Sequence, residues 1–182
     1  MSLKDKEKWD KKYDAEEYIN GKEPSQWLEE NARLLKTNGE ALDLAGGEGR
    51  NSVFVARRGY QVTCQDISEI GLQKAQALAR EKNTKITTLL TDLNKDSLPE
   101  NKYDLVMCFN FLDRNLLSGI RQTLKSGGLV IYETFTLDYL KYSSFKKEWV
   151  LEPNELLHAF SDFRVLRYRE VDEDPKAFAS LV

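Results

Sequence analysis

The chain has 182 residues, 27 of them basic and 30 acidic, for a formal net charge of −3. That balance leaves no basic face broad enough to track a nucleic-acid backbone, and no apolar run approaches the ~20 residues that a membrane-spanning helix needs. Two cysteines and one histidine are too few for a Cys/His metal centre, and 41% hydrophobic with 31% charged residues suits one α/β domain with a proper core.

The start, Met1-Ser2-Leu3-Lys4-Asp5, lacks the apolar core of a secretion signal, so a cytoplasmic location is expected. Residues 1–23 are rich in charge and aromatics (Trp9, Tyr13, Tyr18) and read as too charged to join the core. Pro24 should open a helix carrying Trp27, Leu28 and Leu35, which Asn38-Gly39 ends. Strand and helix then alternate. A strand is expected over 41–45, a short helix over 50–58, a strand over 60–66 and a helix over 69–82. Next come a strand over 86–91, a strand over 103–109, a helix over 114–125 and a strand over 129–134. Alternation at this spacing means right-handed crossovers and a parallel sheet. The end differs: a short helix from Pro153 precedes strands over 163–171 and 177–182, with no room between them for a crossover. These two must pair antiparallel. Cys64 and Cys108 fall inside apolar strands and read as buried, reduced thiols.

The richest stretch runs from Ala41 to Ser68. An apolar strand carries Asp43; a bend with Gly46, Gly47 and Gly49 follows; the second strand ends in Asp66. Glycines let the backbone turn sharply and approach a ligand, and an acid after the second strand can accept from both hydroxyls of a ribose. This is the layout of a nucleotide-cofactor site. It departs from the dinucleotide fingerprint, because Gly47-x-Gly49 is followed by Ser52 rather than glycine. A second strand-end acid, Asp92, and the terminal antiparallel pair also count against a nicotinamide enzyme.

Taken together, L-D-L-A-G-G-E-G-R-N at 42–51, D-I-S at 66–68, T-D-L at 91–93, Y-D-L-V at 103–106 and L-K-S-G-G-L-V-I-Y at 124–132 closely resemble the class I S-adenosylmethionine-dependent methyltransferases. The resemblance implies a single-domain Rossmann-like α/β fold. Its seven-stranded sheet is mostly parallel, with a C-terminal antiparallel pair and helices on both faces. Residues 1–38 would form an N-terminal cap and helix, and 39–182 the cofactor-binding catalytic domain, together one structural unit. The chain departs from the family at Ala45, where the first glycine of the bend is common. By resemblance, the backbone of Ala45, Gly46 and Gly47 faces the methionine part of the cofactor, and Asp43 braces the bend. Asp66 holds the ribose, Ile67 packs on the adenine, Asp92 accepts from the adenine amine and Leu93 meets the ring edge. Gly49, Arg50 and Asn51 belong to the same cofactor loop, and Asn110 lines the methionine end.

Within that class, G-E-G-R-N-S, R-x-G-Y at 57–60, E-P-N-E-L at 152–156 and W-D-K-K-Y at 9–13 are similar to the small tellurite-resistance-type methyltransferases. The resemblance implies a small-molecule acceptor, such as a tellurium or selenium oxyanion or a thiol. It implies no nucleic-acid or membrane partner, and a monomer or homodimer. Pocket candidates are Trp9, Tyr13, Arg114, Glu133 and Tyr139. Glu133 and Tyr13 are the attractive general-base candidates, Arg114 an anion-attracting cation, and Trp9 with Tyr13 an aromatic lid. The segment 136–149, with Tyr139, Tyr142, Phe145 and Trp149, should wall the acceptor pocket. A non-catalytic binder of the cofactor or its product is the alternative reading.

Overall fold

A computed structural model describes residues 3–182, the side chain of Leu3 excepted. Seven strands form one sheet in the order β3-β2-β1-β4-β5-β7-β6. Strands β1 (Gly39–Leu44), β2 (Tyr60–Asp66), β3 (Thr87–Leu90), β4 (Tyr103–Phe109) and β5 (Leu124–Phe135) run parallel. Strand β7 (Lys176–Leu181) inserts antiparallel between β5 and β6 (Tyr168–Glu173). The antiparallel pair expected from the short link is therefore present, and the strand order reverses between β1 and β4. The carboxyl edge at such a reversal is where open α/β sheets bind ligands.

The central strands are apolar on both faces because both faces are covered. One core layer joins Leu42, Leu44, Val106, Tyr132 and Phe160 beneath α5 (Leu116–Thr123) and α6 (Glu155–Ala159). The opposite layer joins Trp27, Leu28, Ala41, Val55 and Met107 beneath α2 (Gln26–Glu30) and α3 (Arg50–Ala56). Helix α4 (Glu69–Glu81) is set by its ends: the Ser68 hydroxyl accepts from the Gly71 amide, Glu69 lies in the first turn and Arg80 in the last. Its buried Leu72, Ala75, Leu78 and Ala79 keep helical spacing.

Four elements differ from expectation, the first being β6, which starts at Tyr168 rather than 163 and runs to Glu173 rather than 171. The helix after Pro24 is short, ending at Glu30 and followed by a 3₁₀ turn over Ala32–Leu34. The Asn31 amide donates to the Trp27 carbonyl at 2.8 Å, so a side chain competes for the helix ladder there. Strand β5 begins at Leu124, five residues before 129. Tyr103 pairs with Leu124 and Leu105 with Leu129, so Lys125–Gly128 bulge out of the ladder, with Gly127 at φ +73°. Finally, the charged N-terminal stretch contains α1 (Leu3–Tyr13), and Tyr13 at its end is only 7% exposed. The segment read as excluded from the core sends one ring inside. Among the described residues, no helix is long and apolar enough to cross a membrane.

Candidate active site

The bend after β1 is built around two buried acids. Asp43 is 1% exposed and accepts from the Ser52 hydroxyl at 2.7 Å. Burial pushes its carboxyl up to about 7; the Ser52 contact opposes this and the nearby Asp66 charge adds to it. Asp66, at the end of β2, takes the Gly47 amide on one oxygen and the Ser68 amide on the other, both at 2.8 Å. Burial raises it to about 6 against the pull of those amides. One carboxylate thus fixes both the bend and the start of α4. The bend itself needs left-handed backbone at Ala45 (φ 52°) and Gly47 (φ 54°). The Gly46 amide donates to the Gln65 carbonyl at 2.9 Å, lacing the bend to β2.

The polar letters of G-E-G-R-N turn out to hold the chain's own N-terminal segment. Glu48, 5% exposed, accepts from the Ile19 amide at 2.8 Å and pairs with Lys74 at 2.6 Å. Arg50 donates to the Asn20 carbonyl at 2.9 Å, and Asn51 accepts from the Ser25 amide at 2.8 Å. Gly49 faces α4, where an added Cβ would lie 2.5 Å from that of Ala75. The structure therefore gives Gly49, Arg50 and Asn51 packing and tethering contacts rather than places on the open face of the bend. Lys74 completes the tether by donating to the carbonyls of Ala15 and Glu17, each at 2.8 Å.

On the next strand end, Asp92 accepts from the Asn94 amide at 3.2 Å and pairs with Lys95 at 3.1 Å. Ile67 and Leu93 are buried. Asn110 is exposed just past β4, at φ 56°, with its amide on the Glu133 carbonyl at 2.9 Å. Asp43, Ala45, Gly46, Gly47, Asp66, Ile67, Asp92, Leu93 and Asn110 thus all lie at the ends of β1 to β4.

The acceptor candidates separate. The Tyr13 ring lies against Gly47 and Gly71, and burial raises its hydroxyl pKa strongly. Trp9 stacks on it at 5.4 Å. Glu133 accepts from Ser180 at 2.6 Å and Ser25 at 3.1 Å, and pairs with Arg169 at 3.4 Å, which leaves it braced rather than poised. Tyr139 stacks on Phe135 at 4.3 Å, and Phe145 sets its edge to both Tyr139 and Trp149. Arg114 is committed elsewhere: it holds Glu155 through two contacts of 2.6 and 2.8 Å and the carbonyls of Glu148 and Val150. Glu48, Lys74 and Asp10 went unnoticed in the sequence. An acid inside a glycine-rich bend was the one available signal, for Glu48.

The profile of the methyltransferase domain family matches residues 41–128. Over 140 residues the chain is 31% identical to the probable S-adenosyl-L-methionine-dependent methyltransferase TehB of Haemophilus influenzae. That alignment covers 72% of this chain and 48% of TehB, so the chain spans about half the length of the curated relatives it matches. The crystal structure of Haemophilus influenzae TehB superposes with a TM-score of 0.70 at 22% identity, covering 97% of this chain and 65% of that one. This chain is a class I S-adenosylmethionine-dependent methyltransferase domain. A Mesorhizobium loti S-adenosylmethionine-dependent methyltransferase shares the fold at a TM-score of 0.67 and 17% identity, covering 86% of this chain and 97% of that one. The cofactor of this methyltransferase domain is S-adenosylmethionine. The residues present fit it: a glycine bend whose backbone turns left-handed at Ala45 and Gly47, and acids on successive strand ends, Asp66 and Asp92, with the Tyr13 ring lying against the bend.

Proposed function

We propose that this domain methylates a small-molecule acceptor. The observation that carries the reading is the Asp66–Gly47 unit at the sheet's reversal, with Asp92 one strand away. Asp66 already holds two amides, but a carboxylate has about four lone-pair sites, which leaves capacity for two ribose hydroxyls. Ile67 would pack on the adenine, Asp92 and the Leu93 amide would meet its edge, and the backbone of 45–47 with Asn110 would face the methionine end. Asp43 acts one step back, holding Ser52 and so α3 against the bend.

The cofactor supplies an activated methyl on a sulfonium, so the protein's work is alignment. A soft anion, such as a tellurium or selenium oxyanion or a thiolate, can attack without a strong base. The braced state of Glu133 favours that class over oxygen or nitrogen acceptors, which want a poised base. Residues 1–38 serve as a cap on the catalytic unit 39–182.

Calorimetric titration with S-adenosylmethionine, S-adenosylhomocysteine and NADH is the first test. Binding of both adenosyl ligands but not NADH is expected, with about 2.7 kcal/mol of added stability at 100 times Kd. Absence of adenosyl binding would refute the assignment. Binding without turnover on a panel of soft anions and thiols would make the domain a sensor or partner subunit instead.

A further inference from the structure

We infer that α1 is a displaceable plug in the cofactor cleft: the Tyr13 ring occupies the space in front of Gly47 that the cofactor must take. This rests on the S-adenosylmethionine reading above. Among the described side chains of α1, Tyr13 is the one that is buried; Trp9 and Asp10 are half-buried, and Lys11 and Lys12 are exposed. Its hydroxyl comes so close to the bend that a Cβ on Gly47 would sit 2.6 Å away, and its ring so close to α4 that a Cβ on Gly71 would sit 2.9 Å away. Two positions without side chains thus make the slot, and Asp66, whose oxygen holds the Gly47 amide, lies at its floor. A bend that presents bare backbone to a ligand presents it here to a tyrosine.

The two ends of the N-terminal segment are held very differently. From Ala15 onward, Lys74, Glu48, Arg50 and Asn51 clamp it to the bend through backbone groups. Helix α1 itself is held by a few polar contacts: Asp10 accepts from the Ser68 hydroxyl at 2.6 Å and the Ile70 amide at 3.4 Å, and the Tyr13 carbonyl accepts from Lys74 at 3.3 Å. The Lys8 ammonium also lies over Trp149 at 5.1 Å. With a clamped base and a lightly latched arm, the helix can swing about residue 14 while 15–25 stay in place. The clamp keeps the plug at high local concentration, and the polar, mostly solvent-facing contacts of α1 keep it exchangeable.

A ligand that needs the unplugged state binds with an apparent affinity reduced by the fraction of molecules already open. Removing the ring therefore strengthens binding, whereas removing a residue that touches the cofactor weakens it. S-adenosylhomocysteine affinity would be measured for the wild type, Tyr13→Ala, Tyr13→Phe and Asp10→Ala. Hydrogen exchange of the 4–13 amides would be followed with and without ligand. Expected are at least threefold tighter binding for Tyr13→Ala and Asp10→Ala, near wild-type affinity for Tyr13→Phe, and faster exchange in α1 when ligand binds. Weaker binding by Tyr13→Ala, together with slower exchange in α1 on ligand addition, would overturn the plug and make α1 a lid that grips the cofactor. Asp10→Ala keeps the test alive if Tyr13→Ala does not fold. Binding by none of the four proteins would reject the cofactor reading itself, and the plug with it; binding only by the unlatched variants would support both.

Discussion

Ala45 holds a left-handed conformation, φ 52°, at the corner where β1 enters the bend. For an L-residue with a Cβ that conformation costs roughly 1–2 kcal/mol, and glycine removes the cost. Glycine gives part of it back through the entropy of the unfolded chain and the loss of a half-buried methyl. Ala45→Gly is therefore expected to stabilise the fold by about 0.5–1 kcal/mol, seen as a higher urea midpoint at unchanged slope. An unchanged or lower midpoint would mean that the corner is not strained. Asp66 makes the sharper functional statement. Replacing it with alanine removes a charged acceptor from the ribose position and should weaken S-adenosylmethionine binding by about 1.5–3 kcal/mol. Because the same carboxylate braces the bend through Gly47, circular dichroism and thermal melting must accompany the titration. Lost affinity in a folded variant supports the ribose role, and retained affinity removes it.

At the level of elements, Arg114 shows why a cation near the right edge is a poor guide by itself. It sits just before α5, but its fork closes on Glu155 of α6 and on two carbonyls of the loop before α6. Arg114→Ala should cost about 1 kcal/mol of stability, the yield of a bidentate but partly solvated pair, and leave cofactor affinity unchanged. A large loss of acceptor turnover with stability intact would return Arg114 to the pocket. The same contrast explains what was legible. Strands β2 and β4 fall where expected, at 60–66 and 103–109: β2 alternates apolar Tyr60, Val62 and Cys64 directly after Gly59, and β4 is a dense apolar run that stops at Asn110. The glycine bend and its acids were legible because their residue types are tied to backbone geometry. Helix α1 left no such trace: it is polar nearly all round, and it docks through one buried ring and a few polar contacts rather than an apolar stripe. Arg50 and Asn51 were illegible for the opposite reason. They sit inside a ligand-binding motif, yet each spends its side chain on the chain's own backbone, which no spacing reveals. The bulge at 125–128 lies between the helix end expected at 125 and the strand start expected at 129, because paired glycines punctuate helix ends and bulges alike.

For the whole molecule, the buried acids give stability an unusual pH dependence. Most shifted carboxylates here are pulled down by partners. Asp104, on the Glu40 amide and beside Lys125 and Lys36, lies far below the ordinary range, and Glu155 is lowered by Arg114 although burial opposes it. Such groups stabilise the fold above the unfolded carboxylate range and lose that contribution as pH falls through their folded values. Asp43 and Asp66 do the reverse. Burial raises them to about 7 and about 6, so from about pH 5 to 7, where the unfolded carboxylates have already ionised, these two groups hold protons that the unfolded chain has lost. Stability must then fall with rising pH across that window, by at most about 1.4 kcal/mol per pH unit for each group. The ligand-free domain should be most stable near pH 4–5 and less stable at pH 8 than at pH 5. Urea denaturation at those pH values, on the wild type and on Asp43→Asn, measures this. The Asn variant cannot ionise and keeps an acceptor for the Ser52 hydroxyl, so its pH 5 to pH 8 difference should shrink while Asp66 maintains a residual slope. A wild type more stable at pH 8 than at pH 5 would mean that water or cations reach both carboxylates. The closed packing of the bend beneath α1 would then not be the state of the free domain in solution.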